Sequence, residues 1–215
     1  MTDAPVLDLE GPRRLLLKGQ AYGLCARMLA PDTDGSPDGE TLARLRDVLE
    51  RLEFVEPLAR LSQAVEAGNN DPEAIQDEHL RLFIKGEAPP YGTSYDAPPS
   101  SAPRSASPQQ LADVAGFYNA FGFQAAGDRP DHLAAELEYV ALLCVKEAFA
   151  RLAQQEEGAA VCAEARSKFL AEHLVPWLPA FGQHVGRSAR HPYFVSLASL
   201  VISLVEADRQ ETAGA

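Results

Sequence analysis

Apolar residues recur three and four positions apart along nearly the whole chain, while strand-like alternation is almost absent. Leu17, Leu24 and Met28 mark a first helix, closed by Pro31 and the segment DTDGSPDG. A second opens with Asp38 as cap and carries Leu42, Leu45, Leu49 and Leu52 on one stripe. Pro57 cannot donate to a helical ladder and predicts a kink or restart, after which Leu58, Leu61 and Val65 continue to Gly68-Asn69-Asn70. Asp71-Pro72 reads as an N-cap followed by proline at the first helical position, opening a helix with Leu80, Leu82 and Phe83. Ser107-Pro108-Gln109-Gln110 has capping-box form and starts a helix through Val114, Phe117, Tyr118 and Phe121. Pro130-Asp131-His132 opens the longest helix, with Leu133, Leu137, Val140 and Cys144 on one stripe and Leu142, Phe149 and Leu152 on another side. A helix apolar on more than one face is central to its fold. Further pieces carry Val161, Ala165 and Phe169, then Trp177, Phe181 and Val185. His191-Pro192 starts the last, with a frayed tail after about Arg209. The pattern predicts one all-α domain over residues 1–215, a globular bundle of about seven to nine helices without a fixed-period repeat.

One segment breaks this pattern. Residues 85–106, KGEAPPYGTSYDAPPSSAPRSA, hold five prolines and few aliphatics. A connection of that length in a compact domain is functional or disordered. Its first part, with Pro89, Pro90, Tyr91, Thr93 and Tyr95, has aromatic anchors and is expected to be ordered. Ala97 to Ala106 is expected to be mobile.

Composition narrows the function classes. With 19 basic and 31 acidic residues the net charge is −12, the wrong sign for a nucleic-acid footprint. The acidic start MTDAPVLDLEG is unlike a secretory leader, and the apolar run His191 to Val205 falls short of the ~20 residues of a membrane span. Cys25, Cys144 and Cys162 are far apart and form no Cys-x-x-Cys pair, which suggests reduced thiols in a reducing compartment. The chain is therefore expected to be cytoplasmic.

Phosphate-loop, dinucleotide-binding and nucleophile-elbow motifs are missing, and no cofactor is expected. The sharpest polar cluster is Asp131-His132 with Glu136 and Glu138. His132 and Glu136, four apart, would suit a metal pair or an acid/base couple, although a metal site wants three or four ligands. Against this stands a plain role for acidic groups in a helix's first turn, where they suit the helix dipole. The stiff PPYGTSY segment suits peptide recognition, because rigid aromatic side chains bind with little loss of entropy; the alternative is tyrosines folded back onto the core. His173 and Trp177, also four apart, suggest a packed contact.

Leu82-Phe83, APPYGTSY, LADVAGFYNAFGF, RPDHLAAELEYVALL, FLAEHLVPW and HPYFVSLASL, in this order, resemble the TorD/DmsD-type family of molybdoenzyme-specific chaperones. The resemblance runs from about Leu80 onward. It implies an all-helical cytoplasmic chaperone, not an enzyme, whose relatives bind the twin-arginine signal peptide of a molybdopterin oxidoreductase and delay export until the cofactor is inserted. The implied partner is that catalytic subunit, with no nucleic acid, no stable membrane insertion, and a monomer or domain-exchanged dimer. By motif, the peptide-binding residues are Leu82, Phe83, Pro90, Tyr91, Thr93, Tyr95, Asp131 and His132.

The chain departs from the family where Asp128-Arg129-Pro130 precede Asp131, where Tyr91 and Tyr95 replace tryptophans of some relatives, and in the Ala/Pro/Ser stretch after Asp96. A leader peptide with a basic start and an apolar middle needs a groove from Leu82, Phe83, Pro90 and Tyr91. It also needs carboxylates for its arginines, from Asp131 and Glu136. The alternatives are a nitrate-reductase-type assembly chaperone for a subunit that is not exported, and a metal-dependent enzyme using His132 and Glu136.

Overall fold

The computed structural model describes residues 9–29, 39–67, 71–95, 108–125 and 129–213. Asp38, Ser107 and the Ala97–Ala106 stretch, on which three of the expectations above fall, lie outside them. Among the described residues the chain is all-α with no β-strand. Its helices are α1 Glu10–Leu29, α2 Gly39–Arg51, α3 Val55–Ala67, α4 Pro72–His79, α5 Pro108–Ala120, α6 Leu133–Leu152, α7 Glu156–Phe169, α8 Leu178–Ser188 and α9 Pro192–Ala213.

The long helix α6 is central. It packs most extensively on α1 and then on α7, while α9 covers α3 and α8. Gly19 makes the α1–α6 approach possible: a Cβ there would stand 3.1 Å from the Ala141 carbonyl oxygen and 3.2 Å from Val145. Leu133, Leu137, Val140, Leu143 and Cys144 of α6 are fully buried. The expected second apolar side of α6 is incomplete, because Phe149 is 61% exposed.

Local signals explain most boundaries. Asp71 caps α4, its carboxylate accepting from the Glu73 and Ala74 amides, and Pro72 follows at the first helical position. The break expected at Pro57 comes earlier, at Glu53, which takes a left-handed φ of 65°. Pro57 then sits in the first turn of α3, where its missing N–H leaves no bond unmade. The tail expected to fray after Arg209 stays helical to Ala213, because Glu211 bonds Arg14 and Lys18 of α1.

Beneath that contact lies an ionic cluster. Lys18 reaches Asp208 at 2.6 Å, and Arg166 bonds both Asp208 and Glu147. All four residues are buried, so each charge needs its partner. The cysteines are free and buried, and burial pushes the Cys25 and Cys144 thiols up to about 12. They are poor nucleophiles at neutral pH.

Two wide π turns extend helices, Leu80–Ile84 after α4 and Leu170–Leu174 after α7. Each carries a segment singled out in the sequence. No helix among the described residues is long and apolar enough to cross a membrane.

Candidate functional site: the tyrosine loop on the hinge of the central helix

Pro90 to Tyr95 runs alongside the residues that open α6. The Gly92 amide donates to the Asp131 carbonyl at 3.0 Å, and the Leu133 amide donates to the Pro90 carbonyl at 2.8 Å. This antiparallel pairing sets Tyr91 opposite His132, with their rings edge to face 5.2 Å apart. A tight 3-10 turn, Gly92–Ser94, follows at once. Tyr118 holds the hinge from α5, its hydroxyl donating to the Pro130 carbonyl at 2.8 Å.

Asp131 is the polar centre. Its side chain is only 4% exposed, and Oδ2 accepts from both the amide and the hydroxyl of Thr93, at 3.1 and 2.7 Å. Arg129 grips the same carboxylate with two prongs, Nε to Oδ1 at 3.0 Å and Nη2 to Oδ2 at 2.7 Å. Nη2 also donates to Thr93 Oγ1 at 2.6 Å, and the guanidinium carbon lies 4.0 Å from the centre of the Tyr91 ring. Charge-assisted two-pronged bonds and a ring face are the strongest contacts a guanidinium makes. Asp131 is therefore not the open carboxylate that the sequence suggests. It already holds a guanidinium, one supplied by the chain itself.

His132 caps α6, with Nδ1 accepting from the Ala134 amide at 3.1 Å. That bond requires an unprotonated Nδ1. Burial lowers the imidazole's pKa, opposed by Asp131 and helped by His79 and Arg129. Glu136 is buried, 1% exposed, and so does not edge an open cleft. Among the described residues, the group of three donors close enough to share a metal is Asp113, Glu172 and His173, which includes neither His132 nor Glu136.

Tyr95 turns the other way. Its hydroxyl donates to the Pro89 carbonyl, closing the loop on itself, and its ring stacks on Trp177 at 5.6 Å with Phe181 and His184 around it. Leu82 is fully buried and Phe83 is 5% exposed, packed on Phe181 and Phe194. These two face the core, where they support the loop from beneath rather than lining an open groove. The structure thus joins Pro90, Tyr91, Thr93, Asp131 and His132 in one bonded unit, with Tyr95, Phe181 and Phe83 as an aromatic chain leading inward.

The sequence reading gives Arg129 no role and pairs Trp177 with His173. Arg129 stood out only as a departure from the family pattern. Trp177 pairs with Tyr95 rather than with His173, because the π turn and the following residues interrupt the helical spacing; His173 packs on Phe117 and Phe169 instead.

A family model described as nitrate reductase delta subunit matches residues 37–183, which include both sides of this site. The chain belongs to that family. It is 28% identical to the perchlorate reductase assembly chaperone protein of Dechloromonas aromatica, across 91% of this chain and 90% of the relative. It is 30% identical to the selenate reductase assembly chaperone protein of Thauera selenatis, across 69% and 77%. It is 24% identical to the chaperone protein TorD of Vibrio cholerae, across 81% and 74%. The TorD-type resemblance read from the sequence therefore stands, and the family is that of redox enzyme maturation proteins.

Proposed function

We propose that this protein is a cytoplasmic, non-enzymatic assembly chaperone that binds the twin-arginine signal peptide of a molybdopterin oxidoreductase's catalytic subunit and holds it until cofactor insertion is complete. The names of the relatives support the assembly role. The arginine chemistry rests on one observation: the Asp131 carboxylate, the Thr93 hydroxyl and the Tyr91 ring together clasp a guanidinium in a partly exposed setting.

A leader's arginine meets the same three contacts on this reading. Pro90, Tyr95 and His132 keep the clasp in shape, and Leu82 and Phe83 anchor it to the core. Binding of this type reaches micromolar to submicromolar affinity, about −8 to −9 kcal/mol, tight enough to hold a precursor and weak enough to release it. A second reading is favoured by the description of the matching family model: a nitrate-reductase-type assembly chaperone whose client subunit is not exported.

Titration of a synthetic twin-arginine leader against wild type, Tyr91→Ala and Asp131→Asn tests the proposal. Both variants should bind more weakly, and added salt should reduce the arginine-dependent part. Unchanged affinity in both variants removes these residues from the site.

A further inference from the structure

Arg129 makes with Asp131, Thr93 and Tyr91 every contact that an incoming arginine needs, so ligand and resident cannot occupy the clasp together. Resting on the arginine-recognition reading above, we propose that Arg129 is an internal competitor: it fills the clasp in the free protein and is displaced by an arginine of the client segment, so that it sets the affinity of the site.

Three features of the site support exchange rather than a permanent bond. The Arg129 side chain is 35% exposed against 4% for Asp131, so the arginine is far more open to solvent than the carboxylate it grips. The carboxylate keeps its position without it, because the Thr93 amide and hydroxyl both hold Oδ2. The backbone frame is independent as well, since the Gly92–Asp131 and Pro90–Leu133 bonds involve no side chain.

Departure of Arg129 leaves a buried carboxylate without its countercharge, which is unfavourable unless another cation arrives. The vacated clasp thus selects for a planar, two-pronged cation over an ammonium, whose compact charge cannot match both oxygens. A competitor tethered in the same chain lowers apparent affinity by the fraction of molecules whose clasp is free.

The experiment compares full-length wild type with Arg129→Gln, titrated with a leader peptide carrying two adjacent arginines and with a copy in which both are glutamine. Arg129→Gln should bind the arginine peptide roughly tenfold tighter than wild type, and the glutamine peptide no tighter, as removal of a competitor filling about nine-tenths of sites requires. Methylguanidinium should raise the thermal midpoint of Arg129→Gln more than that of wild type, and methylammonium should not. If wild type prefers the arginine peptide and Asp131→Asn abolishes that preference, but Arg129→Gln binds no tighter, the clasp recognises arginine and the competitor proposal is wrong. If wild type and Arg129→Gln both bind the two peptides alike, arginine recognition itself fails and the proposal falls with it. Should Arg129→Gln not fold, Arg129→Lys serves, with a smaller gain in the same direction; failure of both to fold makes Arg129 a structural strut and overturns the proposal.

Discussion

Gly92 lies against the indole of Trp177 so closely that a Cβ there would stand 3.1 Å from Nε1. The contact ties the tyrosine loop to the segment entering α8, and a Cβ at this position would require the indole to give way by a few tenths of an ångström. Gly92→Ala should cost about 1–3 kcal/mol in urea unfolding, the usual range for overpacking. Trp177 is the only tryptophan in the chain, so its emission should shift in the variant. Unaltered stability and emission together would contradict this packing.

Proton uptake at His132 gives a second expectation. An imidazole held below its ordinary pKa in the folded state is protonated more readily in the unfolded chain. Its contribution is intact above the ordinary value and is lost as pH falls from there toward the folded value. His79 behaves alike, burial lowering its pKa against an opposing bond to the Leu29 carbonyl. Stability should therefore fall between about pH 7.5 and pH 5. His132→Asn keeps a competent cap, so it should reduce that fall while changing stability at pH 8 by less than about 1 kcal/mol. Thermal midpoints across pH decide the matter.

The helices were legible because their signals are local. Asp71-Pro72 capped α4 as expected, His191-Pro192 opened α9, and the stripe of Leu133, Leu137, Val140 and Cys144 became the core of α6. The tyrosine loop and the Asp131-His132 hinge were also readable as segments, and they meet in space. What a single chain hides is long-range pairing. Nothing local tells that Lys18 meets Asp208, that Arg129 reaches Thr93, or that Leu82 and Phe83 face inward. The π turns escaped for a related reason: a five-residue backbone bond differs from a four-residue one only through packing around it.

The ionic cluster carries the third expectation. Arg166 bridges Glu147 and Asp208 with different nitrogens, so Arg166→Met leaves two buried carboxylates short of charge. The loss should be about 3–5 kcal/mol in denaturant titration. Arg166→Lys should recover only part of it, since an ammonium cannot span both partners.

Phe83 and Tyr91 separate support from contact. Phe83→Ala empties a space between Phe181 and Phe194 and should cost about 3–5 kcal/mol of stability. Tyr91→Ala removes a ring that is only partly buried and should cost far less stability, while weakening an arginine-bearing peptide. Paired unfolding and peptide titrations distinguish the two. Equal losses of stability would place Tyr91 in the core instead.

Lys18 and Asp208 are 190 positions apart, yet they form one buried pair. A ribosome must therefore deliver α9 before the charge on α1 finds its partner, and pairings over such distances slow the final closure of a chain. The interior around Lys18 closes only after α9 has been made.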